Sequence, residues 1–284
     1  MKWNHYYLKK LLSVMKNKFS NGVKKYNHLL LENKVCMITG AASLRSIGYA
    51  TAEIFAAHGA KLVLLDLVMN DNITHEITDT IAAEIGHTPE IIFVQCDIRS
   101  AAECDTAIEK AVAAFGTIDC LVNCAGIVKP GGMLSIEEEA YDNILAVNLK
   151  GTFNICKSAL KVFSKNQSGV IVNLASLAAQ RGGGLVGGAH YAASKGGVIS
   201  LTRSIAREFA PLGIRANVIC PAMIETNMLD GLNEEQLNEV IAAIPLKRVG
   251  KTIELAGTCL FLASDLSGFV TGATIDVNGG IHIH

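Results

Sequence analysis

Proline and aromatic side chains are scarce in this chain. Five prolines, one tryptophan and 6% aromatic residues stand beside 26 glycines in 284 residues. Neither a collagen repeat nor a coiled-coil composition is present. Charge is sparse too: 18% of residues are charged, the formal net charge is −1, and half of the chain is hydrophobic. That excludes intrinsic disorder, which needs low hydrophobicity and high net charge. No apolar run reaches the roughly 18–20 residues that span a bilayer, so the mean hydropathy of +0.33 reads as a large buried core. The eight cysteines (36, 96, 104, 120, 124, 156, 220 and 259) include no C-x-x-C pair and no histidine at zinc spacing. They read as small apolar residues of a reducing, cytoplasmic setting, with no metal site.

Acidic residues are missing altogether from residues 1–31, which carry seven lysines. The remainder, 32–284, has 18 basic and 26 acidic residues, a formal charge of −8. A body of that sign is a poor nucleic-acid binder. The first stretch is no signal peptide: Lys9, Lys10 and Lys16 interrupt its apolar residues, and no small-residue cleavage site follows. Residues 1–32 read as a basic extension, either disordered or a basic amphipathic helix lying on a membrane surface or partner. Residues 33–284 read as one domain.

From residue 33 onward, short β-branched runs alternate with alanine-rich helical stretches. Strands are predicted at 34–39, 61–66, 90–96, 118–123, 169–174, 214–219 and 273–277, with helices at 47–57, 101–115, 141–163 and 192–209. The strands are continuous apolar runs without alternation, so both sheet faces are covered. The expected fold is a Rossmann-type α/β domain: a doubly wound, seven-stranded parallel sheet with helices on both faces.

The first strand runs into Thr39-Gly40-Ala41-Ala42-Ser43-Leu44-Arg45-Ser46-Ile47-Gly48 and then a helix. Glycines let backbone approach phosphates, and a helix N-terminus offers N–H donors, so this turn suits a dinucleotide pyrophosphate. Asp66 ends the second strand, where a carboxylate accepts from adenosine ribose hydroxyls and repels a 2′-phosphate. Arg45 is the counterweight, because a guanidinium there pairs with a 2′-phosphate. NAD(H) is therefore favoured, with NADP(H) the alternative. Asp97 and Asn123-Cys124-Ala125-Gly126 close the third and fourth strands, at the ends where open α/β sheets bind ligands; a helix cap and a plain turn are the structural alternatives.

The fifth strand delivers Ser176, followed by a glycine-rich loop and by Tyr191-Ala192-Ala193-Ser194-Lys195. Residues four apart share a helix face. An ammonium near a phenol stabilises the phenolate and lowers its pKa from about 10. Such a phenol exchanges a proton with an alcohol or carbonyl oxygen, Ser176 hydrogen-bonds that oxygen as its charge changes, and a nicotinamide carries the hydride.

In this order, the Thr39-Gly40 turn, Asp66, Asp97, Asn123-Cys124-Ala125-Gly126, Asn148 within Val147-Asn148-Leu149, Ser176, Tyr191/Lys195, Arg215-Ala216-Asn217, Pro221-Ala222-Met223-Ile224-Glu225-Thr226 and Asp276-Val277-Asn278-Gly279-Gly280 resemble the short-chain dehydrogenase/reductase family. The resemblance implies Tyr191 as general acid/base, Lys195 lowering its pKa and binding the nicotinamide ribose, Ser176 positioning the reacting oxygen, and Asn148 holding a water that links Lys195 to solvent. It implies a cofactor site of Gly40, Ser43, Arg45, Ser46, Ile47, Asp66, Asp97, Ile98, Asn123, Ala125, Gly126, Tyr191, Lys195, Pro221, Ile224 and Thr226. It also implies a small-molecule alcohol or ketone substrate, and a homotetramer or dimer paired through the helices of Asn148 and Tyr191.

Three features depart from the family pattern. The turn is two residues longer than usual, with Ser46 where the middle glycine is expected; the gap of 15 residues from Ser176 to Tyr191 is slightly long, fitting two extra glycines in the loop; and Ala222 replaces the glycine after Pro221. Longer turns occur in the enoyl-ACP reductase branch, whose Tyr and Lys are spaced more widely. The reading is an NAD(P)-dependent oxidoreductase interconverting secondary alcohol and ketone. The alternatives are a non-catalytic nucleotide-binding scaffold and an enoyl-type reductase. Residues 227–246 are expected to cap the substrate through Met228, Leu229, Leu232, Leu237, Val240, Ile241 and Ile244, with Arg181 and His190 contacting a polar substrate.

Overall fold

The computed structural model describes residues 29–184 and 186–283. Apart from its last residues, the basic extension lies outside the described residues, and with it the membrane-surface expectation. Leu31 is buried at 1% exposure. Its N–H bonds to the His58 carbonyl.

Seven strands form one parallel sheet: β1 (Val35–Thr39), β2 (Lys61–Asp66), β3 (Ile91–Gln95), β4 (Cys120–Asn123), β5 (Gly169–Leu174), β6 (Ile214–Pro221) and β7 (Thr274–Val277). Their order is β3-β2-β1-β4-β5-β6-β7. This is the expected single-domain Rossmann-type sheet. Alternate residues of β1 feed opposite cores. Cys36 and Ile38 pack with Phe55, Leu64 and Leu255. Val35 and Met37 pack with Ile108, Ile155 and Phe163 on the other side. A period of two with both sets apolar is why the strands carry no amphipathic signal.

The helices α1 (Ile47–Ala57) and α3 (Ala101–Phe115) have the expected bounds, and α2 (Asp71–Ile85) joins β2 to β3. Side-chain caps begin each: Ser46 accepts from Tyr49 N, Asn70 from Ile73 N and Ser100 from Glu103 N. The helix expected at 141–163 is three pieces: α4 (Glu138–Leu145), a π-helical turn (Ala146–Gly151) and α5 (Thr152–Asn166). Further along are α6 (Ala178–Arg181), α7 (Ala189–Phe209), α8 (Glu234–Ala243) and α9 (Thr252–Ala263). No described helix is long and apolar enough to cross a membrane.

The chain leaves the sheet edge after β3 and returns beside β1 as β4. That reversal opens a crevice at the carboxyl ends of β1 and β4.

Candidate active site

The crevice consists of two adjoining cavities of about 590 and 410 Å³ that share Ile47, Cys124, Gly126, Ile127, Thr226 and Met228. The larger is walled by the β1–α1 turn and the ends of β2, β3 and β4. Its floor requires bare backbone. At Gly40, with φ +72°, a Cβ would stand 2.7 Å from the Ala125 nitrogen. At Gly48 a Cβ would fall on the Gly40 carbonyl oxygen. Ser46, standing in place of the family glycine, serves as the N-cap of α1, accepting from Tyr49 N at 3.0 Å. The first-turn N–H groups of α1 have no intrahelical acceptor, and Ile47 lines the cavity. This cradle fits a pyrophosphate.

Gly40, Ser43, Arg45, Ser46, Ile47, Asp66, Asp97, Ile98, Ala125 and Gly126 all line this cavity. The Asp66 carboxylate accepts from Ala42 N at 3.0 Å and Val68 N at 3.3 Å. Asp97 holds Arg99 through Nε and Nη2, the shortest contact 2.6 Å. That hydrogen bonding holds its carboxyl below the usual range. The helix cap is Ser100, not Asp97.

Asn123 corrects the expectation. Its side chain turns into the sheet, donating to Asn173 Oδ1 at 2.7 Å and Cys156 Sγ at 3.2 Å, and it lines neither cavity. The cleft wall here is formed by the next three residues instead. Cys124 lies where the cavities meet, and burial pushes its thiol up to about 12. It is therefore protonated at neutral pH and is no thiolate nucleophile.

Ser176, Tyr191, Lys195, Pro221, Ile224 and Thr226 line the smaller cavity. Tyr191 and Lys195 lie one turn apart on α7. Burial raises the Tyr191 phenol, and its hydrogen bond with Ser176 pulls it back. The Lys195 ammonium donates to the Leu174 carbonyl at 2.8 Å, and burial lowers its pKa to about 8. Gly187 lies flat on the phenol, since a Cβ there would fall on the Tyr191 ring.

Asn148 sits in the π-helical turn, fully buried. Its amide accepts from Ile127 N and donates to Ile127 O, both at 2.9 Å, and donates to Ser194 Oγ at 3.1 Å. Its side chain is thus spent on backbone and hydroxyl rather than aimed into a cavity. A Cβ on Gly126 would stand 3.2 Å from Asn148 Oδ1 and 3.3 Å from Lys195 Nζ, so Asn148 fixes the strand end that packs on Lys195.

Of the expected cap residues, Met228, Leu229 and Val240 line the smaller cavity. Ile244 is buried against Gly279 instead. Arg181 lines the cavity and donates to the Ile281 carbonyl at 3.1 Å. His190 does not line it. It is 2% exposed, with its ring against Gly188. Ile281 closes the far wall, and Asp230 grips Arg45 from the cap (3.0 and 2.8 Å). Sequence reasoning missed both; they are distant in the chain and carry no local motif.

The family whose model matches residues 40–282 is described as Enoyl-(Acyl carrier protein) reductase. A relative in Sinorhizobium fredii, described as the uncharacterized short-chain type dehydrogenase/reductase y4mP, is 41% identical over 262 residues, 90% of this chain and 100% of its own length. The 3-oxoacyl-[acyl-carrier-protein] reductase FabG of Thermotoga maritima is 39% identical over 89% of this chain and 99% of its own. A crystal structure from Brucella melitensis, of a short-chain dehydrogenase/reductase described as glucose/ribitol dehydrogenase, superposes with a TM-score of 0.79. Its identity is 38%, over 90% of this chain and 100% of that one. Sheet order, crevice and matched length agree, and this chain belongs to the short-chain dehydrogenase/reductase family.

Proposed function

We propose that the chain is an NAD(H)-preferring oxidoreductase that interconverts a secondary alcohol and a ketone, with Tyr191 as general acid/base. One observation carries the reading. A half-buried phenol and the Ser176 hydroxyl line one apolar cavity that opens directly into the nucleotide cradle. A bound nicotinamide supplies or takes the hydride at the carbinol carbon. Tyr191 gives or takes the proton at the oxygen. Ser176 holds that oxygen, and Lys195 binds the cofactor ribose and is the next proton station behind the phenol. Asp66, at the end of β2, favours an unphosphorylated ribose. The name of the T. maritima relative, a 3-oxoacyl reductase, supports ketone chemistry.

Tyr191→Phe tests this: kcat for reduction of a ketone or 3-oxoacyl thioester should fall at least 10²-fold, with NADH binding unchanged. Full activity in the variant would sink the proposal. The enoyl reading is favoured by the family description and the lengthened turn. Turnover of an enoyl thioester without turnover of any ketone would establish it. Eight free cysteines, seven of them buried, support a reducing cytoplasmic setting.

A further inference from the structure

The turn and the cap meet across the mouth of the larger cavity. Arg45 Nη1 donates to Asp230 Oδ2 at 3.0 Å and Nη2 to Oδ1 at 2.8 Å, a two-pronged pairing across 185 residues of chain. Beside it, Asn227 Nδ2 donates to Ser43 Oγ at 3.2 Å. Two cationic side chains, Arg45 and Arg99, line this cavity among the described residues. Both are taken: Arg99 by Asp97 within its own loop, Arg45 by the cap. The carboxylate of Asp66 lines the same wall.

A 2′-phosphate bound here would meet one carboxylate and two cations already neutralised. The two pairs are not equivalent. Asp97 and Arg99 are two residues apart and also share a backbone bond, Arg99 N to Asp97 Oδ1 at 2.9 Å, so that pair persists whatever the cap does. The Arg45 pair exists only because the cap delivers Asp230.

Resting on the proposed dinucleotide function, we infer that Asp230 determines cofactor preference as a positioning residue. By holding the Arg45 guanidinium it denies a 2′-phosphate its counter-cation, and leaves Asp66 to select the unphosphorylated ribose. Both partners are 55% exposed, so the effect is of modest size.

The test is fluorescence titration of the full-length protein with NADH and with NADPH. In Asp230→Asn the ratio of the NADPH Kd to the NADH Kd should fall roughly three- to tenfold, the range for an exposed but bidentate pair. The NADH Kd should stay within about twofold. Arg45→Gln added to Asp230→Asn should return the ratio to its starting value. Arg45→Gln alone should barely move it, because Arg45 is already withdrawn. An unchanged ratio in Asp230→Asn overturns the inference. So does a gain that survives removal of Arg45, which would reflect only the lost negative charge. So does a tenfold or greater loss of NADPH affinity in Arg45→Gln alone, which would mean that Arg45 reads the phosphate despite Asp230. If the wild-type protein binds neither nucleotide, the functional reading fails and this inference with it. Binding of both with an unmoved ratio removes this inference alone.

Discussion

Lys195 is a cation held at 5% exposure, with one hydrogen bond, to the Leu174 carbonyl. Burial lowers its pKa from 10.5 to about 8. Between those values the unfolded chain holds the proton and the folded chain does not. Folding stability therefore rises with pH across that window, and at pH 7 the buried charge costs roughly 3 kcal/mol. Lys195→Met removes that cost but orphans the Leu174 carbonyl, itself worth about 1–2 kcal/mol. The variant should be about 1–2 kcal/mol more stable than wild type at pH 7 and lose that advantage near pH 10, in urea unfolding at both pH values. Destabilisation at pH 7 would mean that the ammonium is better compensated than this geometry allows. The same titration marks activity. Ketone reduction needs Tyr191 and Lys195 protonated, so kcat/KM should be level below about 8 and fall as pH rises through it. Tyr191 and Lys195 were legible because their spacing is itself the signal. Asn123 and His190 were not. In a strand buried on both faces, sequence does not say which face a polar residue takes, and a buried histidine reads like an exposed one.

At the scale of elements, two glycines separate binding from chemistry. A Cβ at Gly48 meets backbone, the Gly40 carbonyl, which has no way to move without reshaping the turn. A Cβ at Gly187 meets the Tyr191 ring. Gly48→Ala should abolish NADH binding in a fluorescence titration. Gly187→Ala should leave the NADH Kd within about twofold but reduce kcat by tenfold or more, since displacing a catalytic group by about 1 Å costs on the order of 10²-fold. The opposite pattern would reverse the division between turn and loop. The bounds of α1 and α3 could be read from side-chain caps and from apolar spacing, both local signals. The break in the 141–163 helix could not. A π-helical turn inserts one residue's worth of slack without changing composition, and its consequence, Asn148 bonding back to Ile127, appears only in three dimensions. The cap was legible as an amphipathic stretch. Which of its residues face the cavity depends on the turn at Asn227–Leu229, not on helical period alone.

At the scale of the whole molecule, sheet order gathers residues from Gly40 to Thr226 into one crevice, and the remaining surface bears on assembly. Tyr141 on α4 and Phe153 on α5 are exposed at 44% and 46% in the single chain. Both lie on the helices flanking Asn148, where the resemblance puts the subunit contact. Covering them in a homotetramer would bury apolar surface at little entropic cost, because the ring of Phe153 is already steadied by Lys157 Nζ at 5.9 Å from its centroid. In light scattering the wild-type protein should then weigh about four times the 30.2 kDa chain. Phe153→Glu is the discriminating variant. Within one chain it sets a carboxylate one helical turn before Lys157, a favourable pairing that leaves α5 intact. Across a two-fold axis it is duplicated, so a carboxylate enters an apolar contact from both sides. The mass should drop to that of a dimer or monomer while the thermal midpoint stays cooperative. A wild-type mass of a single chain, or a Phe153→Glu protein that keeps the full assembly, would move the contact away from this face.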